Sequence, residues 1–322
     1  MNLSVIICTW QAPPSLDETL ASVFGQEHAD AFEVVLVNNG FSEARAKQLK
    51  ENYPALRIIN EPTPGLMYAR RAGFRAAQGK FFVCLDDDNF LTDGFLQVLG
   101  DLVEKYSNLG CICPVVVPRW EQKPEEWLQE FGSMCLSYTN KSEPGPDRKE
   151  QLWLNPHFEG WRCPSGGGMI IHRSVAENYL EINDAKRLKL GRIRGALGGC
   201  EDVDICARVP LLGLNSLFSE RLVLYHQIPG SRTRLKYLFK LIFRSAQDWA
   251  VMQRLWQKER HPLAKVEWHW HWRQFFHLSY AWVRVWLRTG KSTPRFVLEW
   301  AGSAGFLWGW FRDWLGSVVR ND

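Results

Sequence analysis

The sequence predicts an α/β fold in which a mostly parallel sheet is flanked by helices. Over the first 120 residues, short apolar runs alternate with segments of helical character, the pattern of strands joined by crossover helices. Of the 322 residues, 46% are hydrophobic and 23% are charged, which excludes the disordered, collagen-like and disulfide-scaffold classes. A chain of this length can bury one large core or two modest ones.

Each element of the first part carries its own local signal. Short apolar runs that end in turn residues predict buried strands over residues 3–8, 33–37, 56–59 and 80–85. Helices are predicted over residues 15–24, 42–52, 65–77 and 93–106, since each begins at or beside a residue that favours a first turn. Asp93 is the predicted cap of the last of these helices.

The remaining chain is less regular before it becomes helical. Proline, glycine and charge clusters over residues 120–165 predict loops over the site. A turn entering a strand is predicted over 166–172, a mobile glycine- and arginine-rich segment over 186–199, a helix over 201–212 and a strand over 216–224. From residue 235 onward the pattern is helical and aromatic.

The cysteines and the N-terminus indicate a compartment. The eight cysteines are dispersed among apolar residues and none has CxxC spacing, so we expect reduced core thiols of a cytosolic protein. The first residues lack a basic segment followed by a long apolar run. We therefore expect no secretory signal.

Three carboxylates, Asp86, Asp87 and Asp88, follow the fourth predicted strand. Ligands of open α/β sheets bind at the carboxyl ends of strands. Adjacent carboxylates repel one another unless a cation neutralises them, and oxygen ligands suit Mg²⁺ or Mn²⁺, especially when a diphosphate completes the shell. A solvated acidic turn is the alternative interpretation.

A second acidic group, Glu201, Asp202 and Asp204, follows the glycine-rich segment and begins a predicted helix. Helix capping and the helix dipole account for one of these acids, at most two. They do not account for the flexible segment before them. A carboxylate on a closing loop is well placed to act as a general base.

In this order, the motifs resemble those of inverting glycosyltransferases of family 2, which have the GT-A fold. Five stretches carry the resemblance: residues 4–10, 35–40, 64–73, 79–88 and 199–204. It implies a GT-A catalytic domain over residues 1–228. It carries no detail for residues 229–322, which we interpret as a separate basic, Trp-rich helical region.

The resemblance implies a donor-nucleotide site. Its residues would be Cys8, Thr9, Trp10, Asn38, Asn39, Arg70, Asp86 and Asp87. The family usually has aspartate where Asn38 and Asn39 stand, and an amide both donates and accepts hydrogen bonds. The choice among UDP-, GDP- and dTDP-sugars therefore stays open. A solvated helix arginine is the alternative for Arg70.

The resemblance also assigns the chemistry. Asp88 would be the main ligand of Mn²⁺ or Mg²⁺, with Asp86 and His226 beside it. Asp202 would be the general base, with Glu201 as the alternative. The base would take the proton of an acceptor hydroxyl as that oxygen displaces the nucleoside diphosphate in line, which inverts the anomeric carbon.

Two further features match the family's pocket for donor sugar and acceptor. Gly167 and Gly168 lie in a loop of three consecutive glycines, where backbone can approach a ligand closely. Trp161 shortly precedes this loop, and an aromatic face suits a sugar ring. A tight turn is the alternative for the glycines.

The last third of the chain is basic and aromatic. Residues 231–295 contain fourteen Lys and Arg but three Asp and Glu, and eleven of the sixteen Trp follow residue 240. Helices with this composition are typical of an anionic membrane surface. Packing on the catalytic domain is the alternative. We expect no nucleic acid partner, because no such binding motif occurs.

The sequence thus predicts a metal-dependent, inverting glycosyltransferase that is peripheral on the cytoplasmic face of a bacterial inner membrane. It would move a sugar to a glycan or lipid-linked acceptor in surface polysaccharide biosynthesis. A sugar nucleotidyltransferase is the enzymatic alternative, although the loop after the first strand lacks glycine and basic residues. A non-catalytic membrane-surface adaptor is the other alternative.

Overall fold

The computed structural model describes residues 2–27, 32–131, 133, 136–139, 142–154, 163–193, 197–264, 272–281 and 293–318. The chain forms two compact units. The first consists of residues 1–121, 137–188 and 201–228, and the second of residues 122–136, 189–200 and 229–322.

The strands all belong to the first unit. They are β1 (Leu3–Thr9), β2 (Phe32–Asn38), β3 (Arg57–Asn60), β4 (Phe81–Asp86), β5 (Asn89–Leu91), β6 (Leu109–Trp120), β7 (Glu150–Trp153), β8 (Met169–His172) and β9 (Asn215–Ile228). The four strands predicted from the apolar runs are present within two residues of their predicted ends.

Helices of the first unit connect these strands. They are α1 (Ser15–Phe24), α2 (Glu43–Asn52), α3 (Leu66–Ala76) and α4 (Phe95–Lys105), followed, after α5 (Glu126–Phe131) of the second unit, by α6 (Arg173–Glu181), α7 (Glu201–Cys206) and α8 (Arg208–Leu211). The helix predicted over 201–212 is thus two short helices.

The strands form a single sheet in the order β3-β2-β1-β4-β8-β6-β9-β5, with β7 also paired to β9. The neighbours from β3 to β4 are parallel, as is the pair β6–β9. The strand β8 runs antiparallel to both β4 and β6, and the short strands β5 and β7 run antiparallel to β9. The predicted α/β class with a mostly parallel sheet is confirmed.

The long strand β6 has no counterpart among the predicted elements. It contains Gly110, Pro114 and Pro118, and proline is uncommon inside a sheet because it donates no ladder hydrogen bond. The β6–β9 register shifts at two places, Leu109/Cys111 and Pro114/Val115. Irregularities of this kind accommodate glycine and proline within a sheet.

The start of α4 differs from the prediction. The residue before the helix is Gly94, at φ 71°, and Asp93 precedes it. A left-handed backbone conformation costs glycine little, because glycine has no Cβ. The helix therefore begins after the glycine and not directly after the aspartate.

The core of the first unit lies on the sheet. Side chains of β1 and β4 such as Ile6, Ile7 and Val83 are almost completely buried. Gly73 of α3 faces Ile6, and a Cβ at Gly73 would meet the Ile6 side chain. The missing side chain lets α3 lie close to the sheet, at the edge that carries the candidate site.

The second unit contains three long helical segments: α9 (Leu235–Lys258), α10 (residues 272–281) and α11 (Pro294–Val318). Gly305 and Gly309 of α11 contact the backbone of α9, and a Cβ at Gly309 would lie 2.6 Å from Cα of Gln247. Arg254 and Asp313 add an ion pair of 3.2 Å between the same helices. Glycine thus permits a close helix pair.

Within the described residues, we find no helix with the length and apolar content needed to cross a membrane.

A buried ion pair anchors α7. Asp204 of α7 is fully buried and accepts hydrogen bonds from Arg187 Nε at 2.6 Å and from Tyr179 Oη at 2.9 Å. Arg208 lies 3.7 Å from the same carboxylate. This acid of the second acidic group therefore has a structural role, and it fixes the helix that begins with Glu201 and Asp202.

We predict that Asp204→Ala strongly destabilises the protein, since it leaves the buried Arg187 without its counter-charge. The expected loss in free energy of unfolding is about 3–5 kcal/mol, measured by urea unfolding. Glu177→Ala is the matched control, because Glu177 is exposed and 3.9 Å from Arg173. It should change stability by less than ~1 kcal/mol, and equal losses in both variants would contradict the role of Asp204.

Candidate active site

The carboxyl ends of β1, β2 and β4 meet at one edge of the sheet, as parallel pairing requires. Cys8 of β1 is in register with Asp86 of β4, and Thr9 is in register with Asn38 of β2. Residues that lie far apart in the sequence therefore meet within one region. This is the edge at which open α/β sheets bind ligands.

Arg70 of α3 lies at the centre of this region and is 2% exposed. Its Nη1 donates to Glu201 Oε1 at 3.0 Å, and its Nη2 lies 3.7 Å from Asp86 Oδ1. Burial alone would lower the pKa of Arg70, but the carboxylates of Glu201 and Asp86 outweigh it and raise that pKa. The alternative of a solvated helix arginine is wrong, because the side chain is enclosed and joins two acidic groups.

The loop of three glycines that precedes β8, residues 166–168, packs against this arginine. A Cβ at Gly166 would lie 2.6 Å from Arg70 Nη2, and a Cβ at Gly167 would lie 2.9 Å from Asp86 Oδ2. Gly168 has φ +110° and donates its N–H to the Cys84 carbonyl at 2.8 Å. The three glycines therefore allow both close packing on charged side chains and a turn into β8.

The acidic triplet is held by specific hydrogen bonds. Asn89 Oδ1 accepts from the backbone N–H of Asp86 at 3.0 Å, and Thr9 Oγ1 donates to Asp87 Oδ2. Asp88 is buried and its Oδ1 lies 3.7 Å from His226 Nε2. The β5–β9 pairing sets this contact, because it places Asn89 opposite His226.

Asp202 is the second residue of α7. Burial raises the pKa of its carboxyl, while Arg70 and the backbone N–H groups of Val203 and Gly166 act in the opposite direction. Val203 N donates to Asp202 Oδ1 at 2.8 Å. The carboxylate is thus more basic than an ordinary aspartate but is still supported in its charged form, which suits proton transfer.

Asn38 and Asn39, predicted to lie in the donor-nucleotide site, form hydrogen bonds with the backbone of loops. Asn38 Oδ1 accepts from the N–H groups of Gly40 and Phe41. Asn39 is buried, donates to the carbonyls of Glu61 and Thr63, and accepts from Gly65 N. The Asn38 amide thus holds the turn after β2, and the Asn39 amide fixes the loop that leads into α3.

The remaining predicted site residues are Cys8, Trp10 and Trp161. Burial raises the pKa of the Cys8 thiol, and Arg70 opposes this. Trp10 is about one-third exposed and its side chain packs on Gly40. Trp161 lies outside the described residues.

Asn89 is a site residue that the sequence did not single out. It directly follows the acidic triplet, and its side chain is 1% exposed. The one available signal is position, since a polar residue at a strand end beside functional acids can support their backbone. Its contact with Asp86 depends on the turn between β4 and β5.

In the second unit, the glycine- and arginine-rich segment is attached to α9. Asp248 Oδ2 accepts from Gly199 N at 3.1 Å and from Gly191 N at 3.4 Å. Burial raises the pKa of Asp248 to about 6, although both N–H groups and Arg244 oppose this. The segment predicted to be mobile is therefore held at Gly191 and Gly199.

Comparisons with known proteins agree on one family. Residues 4–180 match the family model described as glycosyl transferase family 2. An uncharacterised glycosyltransferase of Haemophilus influenzae is 23% identical over 244 residues, which is 73% of this chain and 68% of that protein. The uncharacterised glycosyltransferase YwdF of Bacillus subtilis is 31% identical over 105 residues, which cover 32% of this chain and 39% of that protein. The match thus spans less than half of this relative.

Solved structures show the same fold. GalNAc-T7, crystallised with UDP, GalNAc and Mn²⁺, has a TM-score of 0.53 at 15% identity, over 86% of this chain and 50% of that one. S. aureus TarS 1–349 in complex with UDP has a TM-score of 0.51 at 14% identity, over 95% of this chain and 90% of that one. At these identities the likeness concerns the fold.

We predict that Gly167→Ala destabilises the first unit, because the new Cβ would displace the Asn89 side chain from its hydrogen bond to Asp86 N. The expected loss is about 1–3 kcal/mol, measured by urea unfolding. Gly100→Ala in α4 is the control, since a Cβ there meets nothing within 4 Å. It should gain about 0.5–1 kcal/mol, and a neutral Gly167→Ala would show that the loop has room.

Proposed function

Because the chain belongs to glycosyl transferase family 2, we propose that it moves one sugar from a nucleoside-diphosphate sugar to a hydroxyl of a glycan or lipid-linked acceptor, with inversion of the anomeric carbon. The arrangement around Arg70 carries this proposal. A buried arginine joins Asp86 of the strand-end triplet to Glu201 of α7. Both acidic groups of the sequence therefore belong to one site.

The geometry separates the roles of the two adjacent acids. Glu201 Oε1 is engaged by Arg70 Nη1 at 3.0 Å, so Glu201 serves to position the arginine. Asp202 is half-buried, and loss of solvent around its carboxyl raises the pKa of that group. We therefore assign Asp202 as the general base that takes the proton of the acceptor hydroxyl. The deprotonated oxygen attacks the anomeric carbon from the side opposite the leaving diphosphate, which gives the inverted product.

The donor is placed at the strand ends. Thr9 at the end of β1 donates to Asp87 and orients its carboxylate, and Trp10 follows Thr9 in the turn after β1. GalNAc-T7 and S. aureus TarS were both crystallised with UDP, which favours a uridine diphosphate sugar as the first donor to test. The Asn39 amide is engaged by loop backbone, so we propose that it shapes the base pocket through the loop.

The donor set at Asp88 fits a divalent metal. The described residues contain no cluster of three His, Cys, Asp or Glu groups suited to a metal ion, but Asp88 and His226 form a pair 3.7 Å apart. A carboxylate with one imidazole suits Mn²⁺ better than Mg²⁺, which prefers oxygen ligands alone. Asp88 and His226 would hold the ion, and diphosphate oxygens and water would complete its shell, whereas Asp86, also predicted as a ligand, lies 3.7 Å from Arg70 Nη2. The bound ion would offset the charge of the leaving diphosphate.

We further propose that the second unit attaches the enzyme to the cytoplasmic face of a bacterial inner membrane, where it serves surface polysaccharide biosynthesis. The excess of Lys and Arg over residues 231–295 supports this, because anionic headgroups attract each nearby cation. Aromatic residues of this region add affinity for the headgroup layer.

Asp202→Asn should lower kcat by about 10²–10⁴, since the amide cannot accept the proton, while donor binding persists. Initial rates of sugar transfer or of UDP-sugar hydrolysis measure this. Glu177→Gln is the matched control and should retain full activity. An active Asp202→Asn together with an inactive Glu201→Gln would exchange the two roles.

Asp88→Ala should abolish the Mn²⁺-dependent binding of nucleotide. With the native chain, UDP plus Mn²⁺ should raise the melting temperature more than UDP alone, because a ligand of the folded state stabilises it. The variant should lose this increment and keep its own unfolding transition. Asp93→Ala, an exposed acid nearby, should behave as native, and an unchanged increment in Asp88→Ala would contradict the ligand assignment.

The chain should sediment with vesicles of anionic phospholipid and be released by high salt, because the attraction is electrostatic and screened within a Debye length. Vesicles of neutral phospholipid are the control and should bind much less. Equal binding to both kinds would contradict the electrostatic basis of attachment.

A further inference from the structure

An apolar cavity of about 240 Å³ lies in the second unit. Its walls are Phe239 of α9 and Phe296, Val297 and Trp300 of α11. The rings of Phe239 and Trp300 are stacked at 6.5 Å. Its apolar walls offer water almost no hydrogen-bond partners, so the cavity favours an apolar occupant.

The helix beside the cavity presents aromatic residues to solvent. Trp272, Phe276 and Tyr280 of α10 are 40%, 61% and 66% exposed. They are four residues apart and therefore form one stripe along the helix. The same helix contacts the cavity wall, since Ser279 Oγ accepts from Trp300 Nε1 at 3.0 Å. Exposed apolar stripes of this kind are typical of binding surfaces.

Two cationic side chains of α9 are close in sequence to Phe239 of the cavity wall. Lys236 and Lys240 are exposed, one turn before Phe239 and one residue after it. Arg273, next to Trp272 on α10, is also exposed. An apolar cavity on a helix that carries exposed cations is complementary to an amphiphile that has a hydrocarbon chain and an anionic headgroup.

We propose that this cavity binds the acyl chain of an anionic membrane lipid and that Lys236 and Lys240 contact its headgroup. A hydrocarbon chain has no polar groups to satisfy, whereas a peptide would bring backbone N–H and C=O groups to walls that offer no partners. The proposal rests on the membrane attachment proposed above and gives it a specific site. The aromatic stripe of α10 would enter the headgroup layer beside the bound lipid.

The chain-binding step is tested with dodecyl phosphate below its critical micelle concentration, by isothermal titration calorimetry on the full chain without vesicles. The native chain should bind one molecule. Val297→Trp should weaken binding at least about tenfold, because the indole fills the cavity. Trp308→Ala, at an exposed position of α11, is the control and should bind as native.

The headgroup step uses charge variants. Lys236→Gln combined with Lys240→Gln should weaken binding of dodecyl phosphate several-fold and leave that of neutral dodecyl maltoside unchanged. Lys258→Gln removes one charge from the exposed end of the same helix and should have no effect. If Lys258→Gln weakens binding as much as the pair does, the headgroup position is wrong.

Circular dichroism melting verifies that each variant folds, and Val297→Phe supplies a smaller filling side chain if Val297→Trp does not fold. Native binding of dodecyl phosphate by the filled variants would overturn the cavity assignment, as would no binding by the native chain. Vesicle sedimentation of the same variants separates the two proposals. Binding of dodecyl phosphate without sedimentation would overturn membrane lipid as the occupant, and sedimentation without such binding would overturn the cavity and leave attachment intact.

Discussion

The buried ion pair between Arg70 and Glu201 is the interaction on which the candidate site depends. Burying an arginine is costly unless its charge is matched and its N–H groups are engaged. Glu201 and Asp86 supply that match from opposite sides of the site. Arg70 therefore fixes the distance between the strand-end triplet and α7, and the position of Asp202 follows from it. The reaction proposed for the site needs this spacing, since donor and base must face the same anomeric carbon.

Support for this ion pair comes from residues with little or no side chain and from a second buried pair. Gly166 and Gly167 leave space that Arg70, Asp86 and Asn89 occupy. Asp204 binds Arg187 and Tyr179 and thereby holds α7 in place. Of the acids of α7, Glu201 thus positions Arg70, and Asp204 stabilises the fold. Asp202 is the acid that we propose as the general base.

In the second unit, glycine also permits close packing, here between two helices. Gly305 and Gly309 bring α11 against α9, so the backbones of the two helices pack closely over this part of the pair. Aromatic residues are available for the cavity walls and for the exposed stripe of α10. A helical region that keeps its aromatic residues at the surface is suited to binding an amphiphile, which is the role proposed for it.

Local sequence determined the α/β class, six strands including β8 and β9, most helix positions and the family, because apolar periodicity and strand-end motifs act over a few residues. The order of the motifs also indicated both acidic groups. Only the tertiary structure showed that Arg70 joins them and that Asp204 belongs to the core. It also showed that Asn38 holds the turn after β2 and Asn39 the loop before α3. It also placed β6 in the sheet despite two prolines, and assigned Asn89 to the site. Except for the turns held by Asn38 and Asn89, each of these depends on contacts between residues far apart in the chain, and burial decides their energies. A local pattern contains neither quantity.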